Sequence, residues 1–234
     1  MPFIKDYSLT WGYIGKYPEW QPSANTIAYY KLDGDLKDSS GNWYDATESG
    51  GTITYGTNYA TFTDWYARFD NGYSSWTITD DITISLWARN IQASWGEWNI
   101  FVFGQDGFGN GRWILIRING TTSNEYLAMS VSQGTSWVLQ QTSVYSVTAN
   151  VWHNLVVTVS PTDKKMIFYI DWVAKETVTT GTNIRVDGKS SIGKVWNYSH
   201  FVTGDVSEVI NEKIAWSAAD VLSYYNGTKS KYWL

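Results

Sequence analysis

The chain of 234 residues is 43% hydrophobic and 17% charged and has no cysteine. It is long enough to bury a core, most simply as one domain, and it lacks disulfides, zinc–thiolate sites and thiol catalysis. A net charge of −5 without a Lys/Arg cluster argues against nucleic acid or an anionic membrane as partner. No run approaches the roughly 18 apolar residues of a membrane span, and the N-terminus lacks the basic and apolar regions of a signal peptide. Aromatic residues are in excess, with 15 Trp, 17 Tyr and 8 Phe.

Residues 1–25 are aromatic and are interrupted by proline. This pattern predicts a leader or linker that packs onto the body or joins it to something upstream. The body, residues 26–234, consists of short β-type runs that Gly, Asn, Asp and Ser separate, and this spacing predicts a sandwich or barrel. The clearest predicted strands are residues 26–32, 59–70, 82–89, 112–119, 125–131, 151–160, 164–171 and 205–210.

A single segment near the C-terminus predicts a helix. Ser217 and Asp220 have the spacing of a capping box, and Asn226-Gly227 provides a stop. One short helix in an otherwise all-β chain is expected to cover the sandwich rather than to form a domain. Residues 155–159 are almost continuously apolar, as expected for a strand that is covered on both faces.

Eight stretches occur in a characteristic order along the chain. They are residues 27–33 (IAYYKLD), 38–42 (DSSGN), 67–70 (ARFD), 82–88 (ITISLWA), 152–155 (WHNL), 168–171 (FYID), 191–193 (SIG) and 204–209 (GDVSEV), and the predicted helix follows them. Their order resembles the concanavalin A-like jelly-roll domains, in the laminin-G/pentraxin-like branch common in bacterial and viral surface proteins. The resemblance implies an all-β fold: an antiparallel jelly-roll β-sandwich with one short C-terminal helix.

Large aromatic residues and histidine within the strands are interpreted first as structural. Trp87 and Trp152 lie in apolar strand context and are expected in the core. His153 has no carboxylate at metal-ligand spacing beside it, so we expect a hydrogen-bonded strand histidine rather than a catalytic base.

An acidic loop at residues 33–45 is a candidate calcium site, because oxygen-rich turns suit Ca²⁺. Its carboxylates are those of Asp33, Asp35, Asp38 and Asp45. The resemblance implies that a structural Ca²⁺ ties this loop to residues 204–209, where Asp205 is the candidate ligand. In that segment the usual acid before Glu208 is replaced by Ser207. The alternative is that the aspartates only close the loop as Asx turns.

Exposed aromatic residues beside amides and carboxylates are the signature of a sugar-binding face, because flat rings stack on sugar C–H groups while polar groups bind the hydroxyls. Several such residues lie in Gly-rich stretches that we predict to be loops. The candidates are Trp95, Trp98, Asn99, Gln105, Asp106, Asn110, Trp196 and Tyr198. The alternative is that the loop aromatics are hydrophobic plugs.

No pair of acids matches a catalytic pattern. Glycoside hydrolases of this fold need two facing carboxylates, typically from one strand with the alternation Glu-x-Asp-x-Glu. Glu208 and Glu212 are four apart on a predicted strand, but the intervening acid is missing. The motifs of serine hydrolases, zinc proteases and phosphate-binding loops are also missing. We therefore predict a non-enzyme.

Three tryptophans occupy places where a tight turn favours glycine. They are Trp43, Trp65 and Trp172, which follow Asn42, Asp64 and Asp171. One hypothesis is that the gene comes from a lineage that uses a stop codon for glycine, and that this codon appears here as Trp. The alternative is that the turns tolerate Trp. If the hypothesis holds, Trp95 or Trp98 could be such positions too.

The resemblance implies a non-catalytic carbohydrate-binding or adhesion module of a surface or virion protein. A glycan or a surface protein is the expected partner, calcium the expected structural ion, and the location extracellular. Because fold does not fix function, two alternatives stay open. One is a structural or protein-interaction module without a sugar site, and the other is a glycosidase with an unfamiliar acid pair.

Overall fold

The structure, a computed structural model, describes residues 20–49, 53–63, 66–69, 76–77, 80–93, 97–103, 114–119, 125–132, 139–141, 145–148, 150–179, 185–186, 190–192 and 202–232. The strands in this part of the chain are β1 (Thr26–Tyr30), β2 (Ala46–Ser49), β3 (Thr54–Gly56), β4 (Tyr59–Phe62), β5 (Tyr66–Phe69), β6 (Trp76–Thr77), β7 (Ile82–Ala93), β8 (Glu97–Phe103), β9 (Ile114–Asn119), β10 (Glu125–Ser132), β11 (Leu139–Gln141), β12 (Tyr145–Val147), β13 (His153–Ser160), β14 (Lys165–Ile170), β15 (Val173–Thr179), β16 (Arg185–Val186), β17 (Ser190–Ile192) and β18 (Val202–Glu212). Helix α1 (Ala218–Thr228) and a 3₁₀ turn (Lys229–Tyr232) follow.

Two antiparallel sheets of eight strands form a sandwich. Sheet I has the order β15-β14-β13-β7-β18-β4-β3, and β1 also pairs with β18. Sheet II has the order β11-β10-β9-β8-β17-β5-β2, and β12 also pairs with β10. The short strands β6 and β16 pair with each other. The predicted antiparallel jelly-roll sandwich with one C-terminal helix is confirmed.

One predicted strand needed correction, and several observed strands were not predicted. The segment predicted as one strand, 59–70, is two strands in different sheets, β4 in sheet I and β5 in sheet II. Alternation of apolar and polar residues indicates that a strand is half-buried but not which sheet it joins. The corner between β4 and β5 therefore could not be predicted from the sequence pattern. Strand β15 was not predicted, because it is an edge strand whose residues 173–175 are all exposed.

The sandwich core lies between the two sheets, and alternation along the strands builds it. Ile82, Ile84 and Leu86 of β7 point into this core, whereas Trp87 points to the opposite face of sheet I. Successive strand residues face opposite sides, so β7 contributes to two separate apolar layers.

The outer face of sheet I is buried under a second layer, which we call the aromatic layer. It consists mainly of Tyr29, Trp87, Trp152, Tyr169, Trp216, Tyr224, Tyr225 and Tyr232. The Trp87 ring stacks on Tyr232 at 4.2 Å and on Tyr225 at 5.5 Å between centroids. Trp87 and Trp152 are 0% and 5% exposed, so their predicted core placement is confirmed.

Helix α1 closes the aromatic layer. Its predicted capping box is present: the Asp220 N–H donates to Ser217 Oγ at 3.3 Å, and the Ser217 N–H donates to the Asp220 carboxylate at 2.9 Å. Val221, Tyr224 and Tyr225 are buried on the side that faces the sheet. The helix therefore covers the sandwich, as predicted.

Residues 20–25, the described part of the predicted leader, pack on the same outer face. The rings of Trp20 and Tyr29 meet edge to face with centroids 5.0 Å apart. The Ser23 hydroxyl donates to Glu212 at 3.0 Å. This part of the leader therefore contributes to the cover of sheet I.

A β-bulge in β18 aims two consecutive side chains at the aromatic layer. Ser207 pairs with Trp87 and Ile210 with Ser85, so three steps along β18 match two along β7. Glu208 has a φ of 47° within this irregular stretch. The extra residue interrupts the alternation, and both Ser207 and Glu208 contact tyrosines of the aromatic layer.

Trp87→Ala tests the importance of the aromatic layer. Removing a fully buried Trp is expected to lower the free energy of unfolding by about 3–5 kcal/mol, measured by urea unfolding followed by circular dichroism. Leu222→Ala, on the exposed side of α1, is the control and is expected to change stability by less than about 0.5 kcal/mol. Equal unfolding midpoints for the two variants would contradict this prediction.

Candidate functional site

The acidic loop 33–45 is closed by its own hydrogen bonds, and Asp38 is at their centre. Its Oδ1 accepts from the N–H groups of Tyr29 at 3.0 Å and Ser40 at 2.9 Å. Its Oδ2 accepts from the Ser40 hydroxyl at 2.7 Å and from the Tyr44 N–H at 3.1 Å. Both carboxylate oxygens of Asp38 are therefore engaged in holding the loop against β1.

Two further aspartates of this loop also bind backbone. Asp45 Oδ1 accepts from the Asp38 N–H at 2.9 Å, and Asp35 Oδ1 accepts from the Lys37 N–H at 3.0 Å. The second contact, across two residues, is that of an Asx turn. Asp33 is exposed.

Asp205 forms an ion pair with Arg89, its partner across β7 and β18. Arg89 Nε and Nη2 donate to Asp205 Oδ2 at 3.0 and 2.7 Å, and the Thr61 hydroxyl donates to Oδ1 at 2.7 Å. The guanidinium lies 4.8 Å from the Trp152 ring centroid and 5.3 Å from that of Tyr59. The sequence analysis missed this partner, although Arg89 follows Trp87 at strand spacing and so shares its face.

These contacts do not fit a calcium site. Among the described residues, no group of three or more His, Cys, Asp or Glu could hold a metal ion. The carboxylates of Asp38 and Asp205 already accept hydrogen bonds on both oxygens, and Asp205 neutralises an arginine. The geometry instead matches the alternative in which the aspartates close the loop.

Two of the three acids on β18, Glu208 and Glu212, are buried glutamates with several hydrogen-bond partners. Glu208 is 4% exposed and accepts from the hydroxyls of Tyr29 at 3.3 Å and Tyr224 at 3.1 Å and from the Lys231 ammonium. Such a pair of buried charges is stable only while both partners are present. Glu208 therefore anchors the C-terminal turn to the sheet.

Glu212 is buried and hydrogen-bonded in a similar way. Its Oε1 accepts from the hydroxyls of Ser23 and Thr26, both at 3.0 Å, and its Oε2 accepts from the indole N–H of Trp216 at 2.6 Å. Glycoside hydrolysis requires two carboxylates that face each other across an open cleft. Neither acid meets this requirement, because both are buried and hydrogen-bonded.

The tyrosines around Glu208 are held in their neutral form. Burial raises the pKa of Tyr224 well above its usual value, and the nearby Glu208 carboxylate raises it further. Burial and the same carboxylate raise the pKa of Tyr232 well above its usual value. Both hydroxyls donate hydrogen bonds, Tyr224 to Glu208 and Tyr232 to Ser207.

His153 is a bonded strand residue, as predicted, but its partner was not foreseen. Its Nδ1 lies 2.6 Å from Asp171 Oδ2 and its Nε2 3.3 Å from the Thr148 carbonyl oxygen. Asp171 follows β14 and also accepts from the Asn154 N–H at 2.9 Å. The sequence pattern did not indicate this pair, because His153 and Asp171 are far apart along the chain.

The candidate sugar ligands fall mostly outside the described residues. Those outside are Trp95, Gln105, Asp106, Asn110, Trp196 and Tyr198. Trp98 and Asn99 are in strand β8, not in a loop as predicted. The Gly-rich flanks concealed this strand, whose pairing with β9 is interrupted between Asn99 and Phe101.

We call one end of the sandwich the β7–β8 end. At this end β7 stops at Ala93, β8 starts at Glu97, and β18 starts at Val202, which pairs with Ala93. Strand β17 runs antiparallel to β8 and stops at Ile192, beside Phe101, directed toward the same end.

The β7–β8 end therefore has two connections that carry aromatic candidates. Segment 94–96 contains Trp95, and segment 193–201, between β17 and β18, contains Trp196 and Tyr198. Trp98 is the second residue of β8. The described strand ends beside these two connections come from two distant parts of the sequence.

The polar candidates belong to a different end. Segment 104–113, which carries Gln105, Asp106 and Asn110, joins Phe103 to Ile114, which pair with each other at the opposite end of β8. A strand of this length spans roughly 20 Å. The two groups of candidates are therefore anchored at opposite ends of one strand.

The fold and its strand order define a concanavalin A-like sandwich. The chain belongs to the concanavalin A-like lectin/glucanase superfamily, and its Laminin_G_3 family matches residues 54–222. Among curated proteins, none matches the chain. In the part of the chain that the structure describes, no helix is both long and apolar enough to span a membrane.

Solved structures share this fold at low sequence identity. Domain 4 of AbnA, an extracellular arabinanase from Geobacillus stearothermophilus in complex with arabinotriose, is 23% identical, with a TM-score of 0.66 over 85% of this chain and 97% of that one. The binding domain of botulinum neurotoxin DC in complex with rat synaptotagmin II is 14% identical, with a TM-score of 0.65 over 86% of this chain and 51% of that one.

A second toxin structure is of botulinum neurotoxin type C, whose cell entry depends on interaction with two ganglioside molecules. It is 15% identical to this chain. Its TM-score is 0.64 over 86% of this chain and 51% of that one. The present chain therefore spans about half the length of these toxin structures, and the likeness concerns the fold.

Alkaline pH is expected to destabilise the protein. The folded-state pKa values of Tyr224 and Tyr232 lie above the value of 10.0 for a free tyrosine, so above pH 10 the unfolded chain loses protons that the folded chain keeps. The free energy of unfolding should fall by about 1.4 kcal/mol per pH unit for each such tyrosine. Urea unfolding between about pH 9 and pH 11 measures the slope, and Tyr232→Phe should reduce it.

Calcium is expected to leave the melting midpoint unchanged, because both carboxylate oxygens of Asp38 and of Asp205 already accept hydrogen bonds. A ligand that binds only the folded state raises the midpoint, so melts with Ca²⁺ and with a chelator test this directly. Asp38→Ala should lower the midpoint equally in both. A midpoint that rises with Ca²⁺ in the parent chain and not in the variant would reinstate the calcium site.

Proposed function

We propose that the chain is a non-catalytic carbohydrate-binding or adhesion module of a surface or virion protein, acting outside the cell. The proposal is supported by the β7–β8 end, where the described strands β7, β8, β17 and β18 start or stop next to the two connections whose sequences contain Trp95, Trp196 and Tyr198. We propose that these residues and Trp98 of β8 form the binding site. A glycan is the proposed ligand.

The chemistry of this end suits a sugar. Pyranose and furanose rings present C–H faces that stack on flat aromatic rings, and ring hydroxyls need amide or carboxylate partners. Asn99, the other candidate in β8, follows Trp98 in the sequence and is the proposed source of an amide.

The structural neighbours support binding rather than catalysis. The arabinanase domain was solved with arabinotriose, and one toxin neighbour interacts with gangliosides. Within the described residues, the acid pair that the sequence offered, Glu208 and Glu212, is buried and hydrogen-bonded. A hydrolase would need a different pair.

A protein-interaction or structural module is the second candidate. It is favoured by the aromatic layer, which buries Trp87, Trp152 and Trp216, so the aromatic excess is in part structural. A toxin neighbour in complex with synaptotagmin shows that this fold also occurs in domains with a protein receptor. In that case the partner is a surface protein and the β7–β8 end has no sugar site.

A pull-down on immobilised polysaccharides separates the two. Arabinan, laminarin, cellulose, mannan and a ganglioside array are the probes, each with Ca²⁺ and with chelator. Retention of the parent chain on at least one probe is expected, and Trp98→Ala should weaken it roughly tenfold through loss of one stacking contact.

Trp43→Ala is the matched control. Trp43 follows Asn42, whose amide donates to the Thr26 carbonyl at 2.8 Å, and Thr26 pairs with Glu212 at the far end of β18 from Val202. This variant should bind like the parent chain. No retention by folded protein on any probe would favour the protein-interaction module, and release of reducing sugar would contradict the non-catalytic assignment.

A further inference from the structure

We infer that Trp43 and Trp172 stand at glycine positions of this fold, and that the chain made by its source organism carries glycine there, encoded by UGA codons. Both residues have the left-handed backbone, with φ of 64° and 63°. L-residues other than Gly, Asn and Asp rarely adopt it, and for a bulky side chain it is an outlier.

The other positive-φ residues have reasons that these two lack. The described non-glycine examples besides the two tryptophans are Leu32, Asn58, Asn150, Lys164, Asp171 and Glu208. The Asn and Asp residues tolerate this backbone. Leu32 is buried in the sandwich core, Glu208 is held by Tyr224 and Lys231, and Lys164 lies in a tight turn closed by its own N–H at 3.2 Å from the Pro161 carbonyl.

Trp43 and Trp172 gain little in exchange for the strain. Trp43 is 87% exposed and Trp172 is 41% exposed, with one ring contact at 4.4 Å to Tyr225. In contrast, Trp87, Trp152 and Trp216 are all buried. Trp43 is therefore almost fully exposed, and Trp172 is less buried than the tryptophans of the aromatic layer.

The turn at Trp172 shows what residue the backbone requires. Ile170 pairs with Val173 across the two-residue connection of Asp171 and Trp172, and both connecting residues have positive φ. This is the two-residue hairpin for which Asp-Gly is among the strongest preferences. At Asn42-Trp43 the positive φ falls on Trp43 and on Gly41, whose φ is 90°.

A difference in genetic code accounts for this distribution. Some genetic codes read UGA as tryptophan, and others read it as glycine. If a gene that uses UGA for glycine is translated with a code that reads UGA as tryptophan, the printed sequence shows Trp at every such glycine. Such residues would be enriched wherever glycine is required, whatever the environment of the indole. Trp at a glycine position occurs at two separate turns, which argues against backbone strain that serves one functional surface. The sequence Asp64-Trp65, outside the described residues, is the same dipeptide as Asp171-Trp172.

The decisive measurement is the gene together with the natural protein. UGA codons at positions 43 and 172, and tryptic peptides from the source cells that carry glycine at both, are expected. A UGG codon at either position, or a peptide with tryptophan there, overturns the inference. The same peptides decide Trp95, Trp98 and Trp196, so a glycine at position 98 would move the binding test to another residue without affecting the inference itself.

Stability of the printed chain gives an independent check. Trp43→Gly is expected to raise the melting midpoint by roughly 2–4 °C, because it relieves the left-handed strain. Trp43→Ala removes the same ring but keeps a Cβ, so it should melt below the glycine variant. Trp87→Gly, at a buried position, should instead lower the midpoint sharply. Equal midpoints for Trp43→Gly and Trp43→Ala would overturn the glycine requirement.

Discussion

The stacking of Trp87 on Tyr232 and Tyr225 is the contact on which the architecture depends. Trp87 belongs to β7 near the middle of sheet I, whereas the two tyrosines belong to the C-terminal helix and turn. Because the outer face of the sheet is as apolar as its inner face, it needs a cover. The helix supplies that cover, and the sandwich becomes a structure of three layers with two cores.

The cover also determines where polar groups are placed. The bulge at Glu208 directs a carboxylate under the helix, and Lys231 with two tyrosine hydroxyls satisfies it. A buried carboxylate without these partners would be strongly destabilising. The acids that the sequence offers for catalysis are thereby structural, and surface chemistry is left to the ends of the strands.

The sequence predicts the fold class well because local signals agree with one another. The alternation in β7, the apolar run in β13 and the capping box at Ser217 each report on neighbouring residues. Contacts between distant residues leave no such signal. The Arg89–Asp205 ion pair and the His153–Asp171 contact depend on strand order, so the sequence pattern did not indicate them.

The candidate sugar site stays a prediction, and one part of it needed correction. The stretch of Trp98 and Asn99 looks like a loop, because glycines flank it, yet it is a strand of sheet II. Only the pairing of β18 with β7 and of β17 with β8 shows which aromatic segments share an end of the fold. Glycine positions, in contrast, were visible from turn dipeptides, and the φ values at Trp43 and Trp172 agree with that pattern.

The position of β18 has a consequence for how the chain acquires its structure. This strand lies in the interior of sheet I and pairs with β1, β4 and β7, all made long before it. The pairing of Thr26 with Glu212 joins residues from opposite ends of the described chain. Such non-local contacts place all-β domains among the slow folders. On a ribosome, the earlier strands of sheet I would wait with a gap between β7 and β4 until the final stretch of the chain emerged and filled it.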